Sequence, residues 1–193
     1  MPVLITLGMF GTEIAYVAVV NLQVSQLAIS VADNASRLGQ TDNSAVAPTI
    51  TESGIDSVMR GALTQGEMID LADNGRVILT SLEYDTTEAK QFIHWQRCVG
   101  DLDKSSDYGN DTTNNGLNGD EITARGNGTQ KVAAAEDSAV MFAEVFYKHK
   151  GLFGTLFIDD ITMKREAAFI IRDDRNLDPG ITGTGGTSAC SNS

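Results

Sequence analysis

Carboxylates, histidines and cysteines are the side chains of this sequence that could bind or react, and their spacing decides which chemistry is open to them. Asp101, Asp103, Asp107 and Asp111 put hard oxygen ligands at close intervals, as a calcium loop does. The EF-hand order of aspartates, a glycine and a terminal glutamate is not met, so these candidate calcium ligands sit in what otherwise reads as a solvated, turn-rich loop. Asp159-Asp160 and Asp173-Asp174 offer acid and base groups where strands begin or end, and solvation alone accounts for them. His94 and His149 fall inside strand-like runs beside Trp95 and Tyr147 and read as structural. The sequence contains no GxSxG, HExxH, P-loop or dinucleotide glycine pattern. No catalytic residue is assigned, no cofactor is expected, and the chain is not read as an enzyme.

Cys98 and Cys190 are the two cysteines, and neither lies in a CxxC pair or beside histidines that would complete a zinc site. A disulfide between them is the simpler expectation, which favours an oxidising, exported location. With 14 Lys and Arg against 26 Asp and Glu, the formal charge of -12 repels a phosphate backbone, and nucleic acid is a poor partner.

Glu13 is the most informative single residue. It is the one charged side chain in the opening MPVLITLGMFGTEIAYVAVV, and an ionised carboxylate in such surroundings is costly unless protonated or paired. The helix itself offers no partner. The expectation is that Glu13 meets an amino terminus or a polar group on a neighbouring subunit, acting as a register device for assembly. Gly8 and Gly11 lower helix propensity, yet permit close helix contact or local unwinding; they are equally readable as glycines that a membrane helix tolerates.

These residues need a long helix to carry them. Twenty helical residues span roughly 30 Å, enough to cross a bilayer. Beyond them an apolar stripe continues through Val20, Val24, Leu27, Val31, Ala35 and Leu38, with Gly39 and Asp42 marking the end. Three regions follow from this: residues 1–40 as an apolar, then amphipathic, helix for a membrane or filament core; residues 41–177 as a globular domain; and residues 178–193 as a Gly, Ser and Thr-rich tail, loose except where Cys190 pins it. Within the domain, residues 53–63 read as a helix capped by Thr51 or Ser53. Residues 76–84, 91–99, 139–148 and 161–172 read as strands, the first two joined by a hairpin at 85–90.

The last run alternates Ile161, Met163, Ala167 and Phe169 with Thr162, Lys164 and Glu166, which predicts one buried and one wet face. The expected architecture is α+β: a long N-terminal apolar helix packed on a small antiparallel sheet, a four-stranded meander with the helix as its lid. Residues 100–130, rich in Gly, Asn and Asp, read as surface loop. The apolar stretch 152–158 is unusual between strands, and packs under the helix or against another subunit. Asn34, Asn110 and Asn127 head Asn-x-Ser/Thr sequons, with Asn34 on the helix the least suitable.

The apolar N-terminal run together with IHWQRCVG from Ile93, AVMFAEVFY from Ala139 and FIIRDDRNL from Phe169 resembles the TadE/TadG-like proteins of bacterial tight-adherence pilus systems, relatives of type IV pilins. The basic leader and Glu-Phe-containing segment that precede the Pro-Val-Leu in that family do not stand in this sequence, so Met1 is expected to open either a processed or a shortened chain. The resemblance implies a pilin-like structural subunit that resides in the inner membrane before assembly and then in an extracellular helical filament of copies of itself. It further implies inner-membrane pilus assembly machinery as partner. It equally permits a minor, membrane-anchored pseudopilin that primes or tips a filament. An anchored calcium-dependent adhesive module, resting on residues 101–111, is the alternative from a different class.

Overall fold

The computed structural model describes residues 2–39, 47–127, 129, 131–172 and 175–190. Helix α1 (Pro2–Ser36) runs unbroken for 35 residues, roughly 52 Å at 1.5 Å per residue. Val20, Val24, Leu27, Ala28, Val31, Ala32 and Ala35 are buried along one face, so the stripe legible in the sequence is the face that packs. Burying each Val or Leu is worth about 1.5–3 kcal/mol, which anchors the second half of α1 to the body. The helix closes through a turn ending at Gly39, whose φ of 87° suits a residue without a Cβ. The buried Arg175 guanidinium donates from Nη2 to the Ser36 carbonyl at 2.7 Å, placing a cation at the negative end of the helix. Asp42 and the Asp173-Asp174 pair lie outside the described residues.

After β1 (Ile50–Thr51) comes α2 (Glu52–Gln65), capped by the Thr51 hydroxyl, which accepts from the Gly54 N–H at 3.2 Å. A short 3-10 turn and helix α3 (Leu71–Asn74) lead into β2 (Gly75–Asp85). The remaining strands are β3 (Lys90–Val99), β4 (Ala139–His149), β5 (Ile161–Ile170) and β6 (Ile181–Thr182). The expected hairpin is present, its turn fixed by the Asp85 carboxylate, which accepts from the N–H groups of Thr87 and Glu88, both at 2.8 Å.

The α+β architecture expected from sequence is the one observed: α1 lies across β4 and β5, and α2 lies over β3. The strand order corrects the meander. It is β3-β2-β4-β5, with every pair antiparallel, so β2 is central. The hairpin folds β3 back onto one edge of β2, leaving the other edge for β4, which the chain reaches only by crossing the sheet.

That crossing, a largely surface-exposed loop as expected, corrects the wet face of β5. The described residues between 100 and 138 cover much of the sheet face opposite α1, so on the face of β5 expected to be wet Thr162 is exposed while Lys164 and Glu166 are half-buried. Ile122 and Ala134 join Leu82, Ile93 and Val140 in a second apolar cluster, and Leu102 packs with Ile78, Cys98 and Phe146 in a third. Between these clusters the cover is ionic. Lys164 Nζ lies 2.6 Å from Asp107, 2.9 Å from Glu144 and 2.5 Å from Glu166. Burial pulls the Lys164 ammonium down, but hydrogen bonds to Asp107 and Glu166 and the Glu144 charge outweigh it and hold it above its ordinary range. Arg125, fully buried, is pulled down to about 10 by burial against the opposing charge of Glu144, and its guanidinium stacks near the rings of Tyr108 and Phe142.

The tail is pinned at Cys190, and residues 181–190 are held at further points besides. β6 pairs in parallel with β1, and buried Asp56 on α2 accepts from Thr187 N–H at 3.0 Å and Ser188 Oγ at 2.6 Å. Cys98 N–H then donates to the Ser188 carbonyl at 2.6 Å, and Cys98 and Cys190 form a disulfide with Cα atoms 4.8 Å apart. The bond closes a separation of 92 residues, and disulfides typically give about 2–4 kcal/mol of stabilisation. Replacing both cysteines with serine should lower unfolding stability by that amount in a denaturant titration and release the segment after Arg175 to protease.

Candidate membrane and assembly surface

The first half of α1 projects from the body with its apolar side chains outward. Val3, Leu4, Ile5 and Leu7 are each more than 60% exposed, and Ile14, Val19 and Leu22 continue the surface towards the sheet. An 18-residue window of this helix has a mean hydropathy of 1.9 with only 11% of its residues buried, so α1 is long and apolar enough to cross a membrane and is not a covered core helix. Its hydroxyls turn inward, as lipid requires. Thr6 Oγ1 donates to the Pro2 carbonyl at 3.0 Å, and Thr12 Oγ1 to the Gly8 carbonyl at 2.9 Å. Apart from the neighbouring backbone of the helix itself, no described atom lies within 4 Å of where a Cβ would stand on Gly8 or Gly11, so they present flat backbone to whatever surrounds the helix.

Glu13 finds its partner within the chain, which corrects the expectation of an amino terminus or a neighbouring subunit. Its carboxylate is fully buried and accepts from the Leu152 N–H at 3.0 Å on Oε1 and from the Phe153 N–H at 3.2 Å on Oε2. Gly151 makes the approach possible: a Cβ there would lie 2.8 Å from Oε1 and 2.6 Å from the Gly154 carbonyl oxygen. The loop after β4 thus acts as an amide cradle that pins the β4–β5 connection to α1. The apolar stretch 152–158 packs against the helix through Phe157, whose ring centroid is 5.9 Å from that of Phe10, while Leu152 and Leu156 remain exposed. Beside this loop His149 is fully buried against the Tyr16 ring, 5.2 Å between centroids.

The remaining candidates do not converge. Asp111 accepts from the Gln96 N–H at 2.9 Å, Asp107 is held by Lys164, and the Asp101 backbone N–H donates to the Ala72 carbonyl. Among the described residues no three His, Cys, Asp or Glu side chains are grouped to hold a metal, so Asp101, Asp103, Asp107 and Asp111 form no calcium site there. Asp160 pairs with Lys148 at 3.1 Å.

His94 does more than fill a strand. Ladder pairing passes from Ser81↔Trp95 to Leu82↔Ile93, which leaves His94 as the extra residue of a β-bulge. The bulge turns its Nδ1 to Glu83 Oε2 at 2.8 Å, and Glu83 Oε1 accepts from Ser81 Oγ at 2.7 Å.

Sequence reading missed Arg125, Glu144 and Asp56. The first two lie where composition reads as loop or strand and become buried charges, Glu144 paired with Lys164 and Arg125 donating to the Tyr108 carbonyl, only once the crossing segment lies on the sheet. A lone arginine in an otherwise apolar-poor segment gives no local sign of burial.

Two outcomes test this arrangement. Glu13→Ala leaves the part-buried Leu152 and Phe153 N–H groups without their acceptor, a total loss of about 1–3 kcal/mol. Denaturation in detergent followed by Trp95 fluorescence should show it, with Glu13→Gln losing less because one oxygen remains. For His94, the hydrogen bond to Glu83 raises the imidazole above its ordinary 6.5, against burial and with help from the Asp178 charge. Its contribution is therefore full below pH 6.5 and lost as pH rises through the raised folded value. The unfolding midpoint should fall across that window, and His94→Gln should flatten the fall.

No family model, curated protein or solved structure matches this chain. The reading of its surface rests on the chemistry of that surface.

Proposed function

We propose that this chain is a structural, pilin-like subunit of an extracellular bacterial filament. It resides in the inner membrane before assembly, and its helix is surrounded by copies of itself afterwards. The carrying observation is the exposed apolar half of α1, continuous with a buried half that ties it rigidly to the body. Apolar side chains in such number are unstable in water, and their two compatible surroundings are lipid tails and other apolar helices. A subunit that leaves a membrane to enter a filament exchanges one for the other at little cost in apolar exposure. The body then faces outward, with its disulfide suited to an oxidising exterior. Inner-membrane assembly machinery is the partner this reading requires, and a structural role the one it assigns. Nothing in the arrangement favours a priming or tip subunit over a main one.

Replacing Leu4 and Leu7 with aspartate should abolish sedimentable polymer and membrane retention while leaving the near-ultraviolet dichroism of the body unchanged. Negative-stain imaging of wild-type material, identified by mass spectrometry, should show filaments. A full-length chain that stays monomeric in detergent-free buffer would remove the basis of the proposal.

A further inference from the structure

The loop at 152–158 has the character of the helix it touches rather than of the body it belongs to. Leu152 is 55% exposed, Leu156 69% and Phe153 37%, and Ile161, just after the loop, is 40% exposed. None of these side chains is needed to close the core. An apolar groove of about 480 Å³, lined by Pro2, Val3, Thr6, Leu7, Phe10 and Phe157, joins the loop to the tip of α1.

We propose that this loop is a second membrane-insertion element, dipping into the hydrocarbon edge of a phospholipid bilayer beside α1 and seating the body directly on the membrane surface. The inference rests on the membrane half of the function proposed above and not on the filament half.

Two independent observations point to lipid. The first is the state of the backbone. Polar groups entering hydrocarbon must be paired internally, and the first three N–H groups of the loop are: those of Leu152 and Phe153 donate to Glu13, and that of Gly154 donates to the Gly151 carbonyl at 3.2 Å. Glu13 thus neutralises loop dipoles at the depth where its own charge would otherwise be exposed to lipid.

The second is the placement of charge. Residues 152–158 carry none, while Lys150 and the Lys148–Asp160 pair stand exposed or half-exposed at the two ends of the loop, with Asp159 beside them. That is a charged rim at headgroup height around an apolar tip, and it limits insertion to the loop itself. By itself the tip of a few side chains falls short of the roughly 800 Å² that a specific interface needs from each partner, so before assembly the occupant it fits is lipid.

The test uses the full chain reconstituted into vesicles of phosphatidylcholine and phosphatidylglycerol whose acyl chains carry bromine at a shallow or a deep position. Trp95 is buried in the core and serves as the unquenched background. Leu156→Trp should add blue-shifted emission that shallow bromines quench roughly twofold and deep bromines quench less, as for an element inserted about 5–10 Å. Ile5→Trp reports the helix, and Leu117→Trp, on the far cover of the sheet, should stay unquenched. Quenching of Ile5→Trp without Leu156→Trp would overturn the inference and leave the membrane reading intact. Absence of both would overturn the two together. Blue-shifted but unquenched Leu156→Trp would assign the loop to a protein contact and so reject lipid.

Discussion

The face of α1 from residue 20 to residue 35 is buried against β4 and β5, and everything else in the molecule is placed by that contact. Once Val24, Leu27 and Val31 are fixed on the sheet, a helix of 35 residues has no freedom left at its other end. Its first turns must leave the body in a straight line. Glu13 marks the point of departure, where the last polar contact with the body is made through amide hydrogen bonds, with only the Phe10–Phe157 ring contact beyond it. One helix therefore serves two environments, and the change between them falls at a buried carboxylate.

The opposite face of the sheet is solved with different chemistry. A crossing segment poor in large apolar residues cannot build a full hydrophobic layer, and it covers the sheet with three small contributions instead. Ile122 and Ala134 supply apolar contact at one end, and Leu102 with the disulfide supplies it at the other. The middle is an ionic network of Lys164, Glu144, Glu166, Asp107 and Arg125, tied further by the Tyr108 hydroxyl donating to Glu166 at 2.9 Å. Buried charges of this kind add little net stability against an apolar equivalent, but breaking one partner leaves another stranded, so they hold the cover in one register. Burial, with the Glu166 hydrogen bond adding to it, pushes the Tyr108 phenol up to about 12, which keeps it a donor.

The tail completes the edge of the sheet. β3 would expose unpaired backbone along its outer side, and the chain blocks this with the Arg97↔Ala189 and Gln91↔Ile122 bridges and the Cys98–Cys190 bond. Asp56 secures the same strap from α2. Three side-chain and backbone donors from Thr187 and Ser188 converge on its carboxylate and hold it below its ordinary 3.8, the Ser188 hydroxyl contributing most against burial. A body anchored to a membrane or packed in a polymer gains from having no open edge there.

Local pattern in the sequence was enough for the elements. The apolar run and its stripe defined α1, the Thr51 cap began α2, the Asp85 turn joined β2 to β3, and the four strand runs fell within one or two residues of their observed ends, because each depends on neighbours a few positions away. The N-terminal helix on an antiparallel sheet was legible for the same reason. What only the tertiary structure decided was every pairing made over long separation. Glu13 needed the amides of Leu152 and Phe153, β2 became central because β4 returned across the sheet, and Arg125 and Glu144 became buried charges only beneath the crossing segment. Such contacts are fixed by where chain segments lie after the core has closed, and no spacing along the sequence encodes that position.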